Sequence, residues 1–222
     1  PEGEGLRFPE DCAFNPLSRC RTLAARALDG GAALFEHSPA LSIAGTEVTT
    51  PGGRVACTRV IVAVDGRLGR VLPELGSRVR TARLQMLATA PTDEIRAPCP
   101  VYLRYGYEYY QQTPEGRVAL GGFRDEAGPG EWTEDALPDE GVQGRLERFL
   151  RDHLGVMAPI THRWAASVGY TPGILPIFEE VREGVWALGG YNGTGNVVGA
   201  LLGRAAAQLA ATGHSELASP FR

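Results

Sequence analysis

The chain has 222 residues and a formal net charge of −4, and it is 43% hydrophobic and 22% charged. That length can bury one large core or two small ones, while the lack of a basic tract or a long apolar run argues against nucleic-acid and membrane partners. The 29 glycines and 16 prolines point to a turn-rich, strand-rich molecule.

Residues 1–14 are acidic and turn-like. "NPLSRCRTLAARALDGG" then predicts a helix, with Asn15 as its cap, Pro16 in the first turn and Gly30-Gly31 as its stop. Leu17, Leu23, Ala24, Ala27 and Leu28 would form its apolar face. Short strands are expected over 32–38, 40–45 and 59–64, with a hairpin over 46–57 turning at "TPGG". The run "VIVAV" is β-branched throughout, the pattern of a strand covered on both faces. It ends at Val64-Asp65-Gly66 and passes into a short helical stretch, "RLGRVLPEL".

The middle of the chain reads differently. Strand-like segments cover 78–91, 101–113 and 116–123, and positions 102–110 hold five of the seven tyrosines. A carboxylate-rich loop follows, then an amphipathic helix over 140–155 whose apolar positions are Val142, Leu146, Phe149, Leu150 and Leu154. Residues 161–181 contain a strand and a Gly/Pro-rich loop. "GVWALGGY" is a short strand, and 196–213 form the last helix. If that last strand–loop–helix packs beside "VIVAV", the strand-rich middle is an insertion between two parts of one domain.

Chemistry concentrates in "GGYNGTGNVVGALLGR". Gly190, Gly193 and Gly195 permit positive φ and close backbone approach. The first amides of the helix beyond them lack intrahelical partners, and the helix dipole makes that end positive. A phosphate, a carboxylate or the electron-rich edge of a reduced flavin would suit it. The spacing is not a dinucleotide fingerprint, because Gly199 falls one position late and no strand follows. A tight β–α turn with close helix packing accounts for the glycines equally well. Other signals are weaker. Asp65-Gly66 is either a turn or a ligand-lining strand end, and the tyrosines are either a half-exposed sheet face or an aromatic pocket able to hold a cation. The four scattered cysteines form no C-x-x-C pair, which suits reduced thiols and a cytoplasmic location. The four histidines lack metal-ligand spacing. Ser38 and Ser167 lack the nucleophile-elbow context, so a hydrolase is disfavoured.

Six stretches, in order, resemble the FAD-dependent amine and amino-acid oxidoreductases of the D-amino-acid oxidase type, which include glycine oxidase, sarcosine oxidase and the gamma-glutamylputrescine oxidoreductase branch. They are "FNPLSRCRTLAARALDGGAALFEHSPALSI", "RVIVAVDGRLGRVLPEL", "ARLQMLATAP", "YYQQTPEGRVALGGFRD", "RWAASVGYTPGILPIFEEV" and "VWALGGYNGTGNVVGALLGRAAAQLA". The resemblance implies an α+β fold, in which an α/β-type FAD-binding part is interleaved with a mostly antiparallel substrate-domain sheet. The FAD-binding part would comprise 15–77 and 161–222, and the substrate domain 78–160 with a remnant at 1–14. In this family a fingerprint at the start of the chain binds the ADP half of FAD, and a second glycine loop near the end faces the flavin ring. Gly190, Gly193, Thr194, Gly195 and Asn196 match that second loop. Val64, Asp65 and Gly66 would run beside the cofactor, Pro176 belongs to a segment near the flavin, and Tyr109 corresponds to an aromatic on the substrate side.

Pro1 has no such fingerprint after it. The resemblance therefore implies a C-terminal portion of a longer enzyme, or a split or non-catalytic subunit whose partner polypeptide carries the missing half. The arginine that clamps a substrate carboxylate also lacks a counterpart. Val168 and Gly169 stand in its neighbourhood, Arg163 lies too early, and Gly173-Ile174 replaces the usual Asp-Gly. Within the implied class of small amines and amino acids, these departures favour an amine, or a substrate held through other groups such as the tyrosines. The expected reaction is hydride transfer from a C–N carbon to flavin N5, with no side-chain base required.

Overall fold

A computed structural model describes residues 5–221; residues 1–4 of the expected opening segment, with Arg222, lie outside them. The chain forms two compact units, one made of Arg83–Ser167 with the residues up to Phe14, the other of Asn15–Ala82 with Val168 onward.

The second unit begins with helix α1, Pro16–Asp29. The Asn15 side chain accepts from the Ser18 amide at 3.0 Å, which satisfies one of the donors a helix start leaves open. Strands β1 (Ser42–Ala44), β2 (Glu47–Thr50) and β3 (Gly53–Ala56) form an antiparallel meander, and β2–β3 is the hairpin expected at "TPGG". No strand forms over 32–41. Strand β4, Val60–Val62, leads through a 3-10 turn at Asp65–Arg67 into the short helix α2, Leu68–Val71.

The strand expected over 32–38 is thus absent, and two further expectations fail in this stretch. Val60 and Val62 are buried, but Ile61 is 39% exposed and Val64 45%, so β4 is covered on one face only. No residue of α1 is buried, and Leu17, Leu23 and Leu28 are each at least half exposed. The apolar patterns were legible, but these faces stay partly exposed among the described residues.

The first unit is a five-stranded sheet backed by a helix. Its strands are β5 (Arg80–Pro91), β6 (Val101–Leu103), β7 (Glu108–Gln112), β8 (Arg117–Gly122) and β9 (Ile160–Tyr170), in the order β6-β7-β8-β5-β9. The single strand expected over 101–113 is a hairpin. Arg104 and Tyr105 both adopt left-handed φ, 43° and 62°, and turn the chain between β6 and β7. Helix α3, Glu140–Arg148, is capped by Asp139 and ends in a π-helical turn, Phe149–His153. Its Val142 and Leu146, with Leu150, pack on Leu87, Tyr110, Val118 and Leu120 of the sheet.

The second unit closes with β10 (Ile177–Arg182), β11 (Val185–Gly189) and helix α4 (Val198–Thr212), which ends at left-handed Gly213. β10 and β11 are antiparallel, and β11 runs parallel to β4 with Val185 opposite Val60 and Ala187 opposite Val62. The last strand thus pairs with the valine run some 120 residues earlier, as the interleaved reading requires. Every residue of β11 is buried. One side of the sheet packs Val60, Val62, Ala187 and Leu68, and the other packs Trp186 and Leu188 against Leu202, Ala205 and Leu209 of α4.

Candidate functional site

The glycine loop leaves the end of β11 and enters α4. Its backbone needs glycine or asparagine: φ is 64° at Gly190, 54° at Asn192 and 86° at Gly193. Asp65, itself left-handed at φ 50°, fixes the loop's base. Its carboxylate accepts from the Gly169 amide at 2.7 Å and the Tyr191 amide at 3.2 Å. The ends of β4, β9 and β11 are therefore held at one carboxylate. Glycines make the approach possible. A Cβ on Gly189 would lie 2.6 Å from the Asp65 carbonyl oxygen, and one on Gly169 would lie 2.7 Å from the Gly66 backbone.

Beyond Gly193 the loop presents donors. Among the described residues, the amides of Gly193, Gly195 and Asn196 meet no acceptor. Thr194 turns inward, its hydroxyl donating to the Tyr191 carbonyl at 2.7 Å, and its own carbonyl accepts from Val197 and Val198. Helix α4 has no side-chain cap and no acidic residue in its first turn. Its positive end, about half a unit charge, is left unneutralised by the helix itself. The Tyr191 ring lies on Gly195 and Gly199, each of which would put a Cβ within 3.4 Å of it. Gly199, one position late for a fingerprint, is thus a seat for that ring. Burial first, and the Asp65 charge second, push the Tyr191 hydroxyl up to about 12. From α1, Arg19 donates to the Asn196 carbonyl at 2.9 Å.

The segment before β10 completes this end of the unit. Pro176 lines a cavity of about 310 Å³ with Ser77, Arg78, Thr171, Pro172 and Leu175. Arg78 is paired with Glu179. The Thr171 hydroxyl donates to the Gly173 and Leu175 carbonyls.

Of the residues picked out by sequence, Val64, Asp65, Gly66, Pro176, Gly190, Gly193, Thr194, Gly195 and Asn196 all fall in this unit. Asp65 faces backbone amides through both oxygens, and Val64 is open to solvent. Tyr109 belongs to the other unit. Its ring packs against Gly121, where a Cβ would come within 2.5 Å, and its centroid is 6.0 Å from that of Tyr102. Sequence reasoning met Gly169 only as a neighbour of the missing arginine, and passed over Thr171, Tyr191 and Asn192. An asparagine directly before a glycine was the available signal for the last, because Asn-Gly marks left-handed turns. Among the described residues no cluster of His, Cys, Asp or Glu could hold a metal, all four cysteines are free and exposed, and no helix is long and apolar enough to cross a membrane.

The parallel β4–β11 pair thus delivers a glycine loop and open amides to the start of α4. The family model for FAD dependent oxidoreductases, DAO, matches residues 2–209. The chain belongs to this family. It is 28% identical over 228 residues to the probable oxidoreductase OrdL of Rhizobium meliloti (strain 1021), a match covering 96% of this chain and 50% of the relative. Among solved structures, the L-proline dehydrogenase of P. horikoshii superposes with a TM-score of 0.76 at 20% identity, covering 91% of this chain and 57% of that one. The glycine oxidase of Geobacillus kaustophilus gives 0.75 at 18% identity, covering 90% and 55%. The chain therefore has the fold of these DAO-type proteins and spans about half their length. The family is FAD-dependent, and the donor set here fits the ring end of that cofactor: open amides at a positive helix end, on a loop whose glycines leave its outer surface clear.

Proposed function

We propose that this chain supplies the ring-facing half of an FAD site, and that the flavoprotein it builds oxidises the C–N bond of a small amine. The observation that carries this reading is the set of unengaged Gly193, Gly195 and Asn196 amides at the uncapped start of α4, in a chain of the DAO family. Bound there, FAD would supply the hydride acceptor, and negative charge would develop at the pyrimidine edge of its ring. The chain's part is to hold donors where that charge develops, which costs no reorganisation because the loop is already fixed by Asp65 and its glycines. Gly190 and Gly66 keep the backbone close, and Val64 and Pro176 border the same end of the unit. No side chain is assigned as a base, since orienting the carbon over the acceptor supplies most of the catalysis such a reaction needs.

An amine is favoured over an α-amino acid by the segment near Thr171. Its hydroxyl is committed to two carbonyls, and Arg78 is already paired with Glu179, so a substrate carboxylate finds no ready clamp there. Tyr109, supported by Gly121 and beside Tyr102, is assigned to the substrate, as an aromatic surface suited to an alkylammonium group. The test is to co-express the chain with the N-terminal half of the OrdL relative. The pair should purify yellow and reduce under anaerobic amines more readily than under the matching amino acids. A colourless pair that takes up no added FAD overturns the cofactor reading, and faster reduction by amino acids overturns the amine.

The exposed face of α1 and the open edge of β4 support a second element of this proposal: the complementary half packs there, within the same polypeptide or as a separate one. Pull-down of that half by the wild-type chain, lost when Leu23 and Ile61 are both changed to Glu, would bear this out.

A further inference from the structure

One side chain joins the glycine loop to the segment Thr171–Leu175. Asn192 Oδ1 accepts from the Thr171 amide at 2.9 Å. Its Nδ2 donates to Thr171 Oγ1 at 3.1 Å and is shared with the carbonyls of Ile174 at 3.3 Å and Gly173 at 3.4 Å. Its backbone amide donates to the Gly169 carbonyl at 3.0 Å. The partners dictate the orientation of the carboxamide. An amide N–H can only donate, the two carbonyls can only accept, and the Thr171 hydroxyl proton is already given to the Gly173 and Leu175 carbonyls. Turning the group over would set N–H against N–H and oxygen against oxygen. The residue's φ of 54° suits asparagine, and the next residue is Gly193, whose amide is the first of the open donors.

We propose that Asn192 is a positioning residue, which through its carboxamide locks Thr171–Leu175 and the Gly193–Asn196 donors into one pre-formed surface at the flavin-facing end of the unit. The proposal rests on the flavin reading above. Its physical content is pre-organisation. The donors keep their spacing before a ligand arrives, so binding does not have to order two loops at once.

Shape and hydrogen bonding separate cleanly at this position. Asn192→Asp keeps the volume, but it removes the donor and places a carboxylate against two carbonyl oxygens and a hydroxyl. Asn192→Gly keeps the left-handed backbone and removes every side-chain bond. If the donor matters, the isosteric variant is the more damaging one. In the full chain, amide hydrogen exchange over residues 169–176 should quicken about tenfold in Asn192→Gly and further in Asn192→Asp, with exchange in α3 unchanged. Exchange in Asn192→Asp that matches wild type overturns the proposal. In the FAD-loaded pair, Asn192→Asp should also raise the FAD dissociation constant about tenfold. Faster exchange with unchanged FAD affinity would make Asn192 a purely structural brace and overturn the positioning role. A wild-type pair that takes up no FAD defeats the flavin reading and this proposal with it, whereas the exchange data still report on the brace separately.

Discussion

Asp65 illustrates how little of a residue's role its local sequence conveys. "Asp-Gly after a valine run" describes a turn, a ligand-lining strand end or a brace equally well, and only the partners decide. The carboxylate accepts from two backbone amides more than 100 residues away in the chain. Removing it leaves both amides without an acceptor in a half-buried place. Asp65→Ala should therefore destabilise the chain by about 2 kcal/mol, since an unpaired buried donor costs more than the bond it loses. A shift in the urea midpoint with unchanged m-value would check this. The neighbouring Tyr191 gives a pH-dependent expectation. Its hydroxyl is pushed up to about 12 from an ordinary value of 10.0, chiefly by burial. The folded form thus holds its proton more tightly than the unfolded form. That contribution is whole below pH 10.0 and is lost as the pH rises towards about 12. Unfolding midpoints measured across this window should fall more steeply for wild type than for Tyr191→Phe, and parallel slopes would contradict the burial argument.

At the scale of elements, two amphipathic helices with similar sequence signatures behave in opposite ways. In α4, Leu202 is fully buried among Trp186, Leu188 and Leu209. In α1, Leu23 is 50% exposed and Leu28 51%. Leu202→Ala should cost about 2–5 kcal/mol, whereas Leu23→Ala should cost well under about 1 kcal/mol in this chain. Chemical denaturation of the two variants distinguishes them directly. The contrast also marks what the sequence could convey. Local rules placed the ends of α1 well: Asn15 caps it, and Gly30 follows its last residue. The "TPGG" turn was likewise readable, whereas the packing of the last strand beside "VIVAV" entered only as a condition and its parallel register with β4 not at all. The misses have two physical sources. The break within 101–113 depends on three consecutive positive-φ residues, Arg104, Tyr105 and Gly106, of which only the last is a residue type that signals such a turn. The one-sided cover of "VIVAV" depends on neighbours that pattern alone does not count. At the site, the glycine loop was legible because glycine is required there, whereas Asn192 and Thr171 matter through contacts made only after folding.

At the scale of the molecule, several of the exposed apolar residues of the second unit are grouped on two elements. Leu17, Leu23 and Leu28 share one helix that buries nothing, and Ile61 and Val64 lie on or just beyond β4, an edge strand with a partner on one side only. Apolar surface gathered in this way favours association by about 25 cal/mol per Å² covered, and an edge strand adds unpaired backbone groups that can template a further strand. The net charge of −4 is too small to oppose this by repulsion. The chain on its own should therefore bind the dye ANS and show a weight-average mass that rises with concentration over the micromolar range. Leu23→Glu with Ile61→Glu should lower both signals, because each charge would have to be desolvated for the face to be covered. The same pair of changes should leave the urea midpoint nearly unaltered, since neither side chain contributes to a core in this chain. An ANS-silent wild type whose mass is independent of concentration would mean that these side chains are individually solvated, and the face would then have no call on a partner. If the signals instead vanish on adding the complementary half, the face and its occupant are identified together.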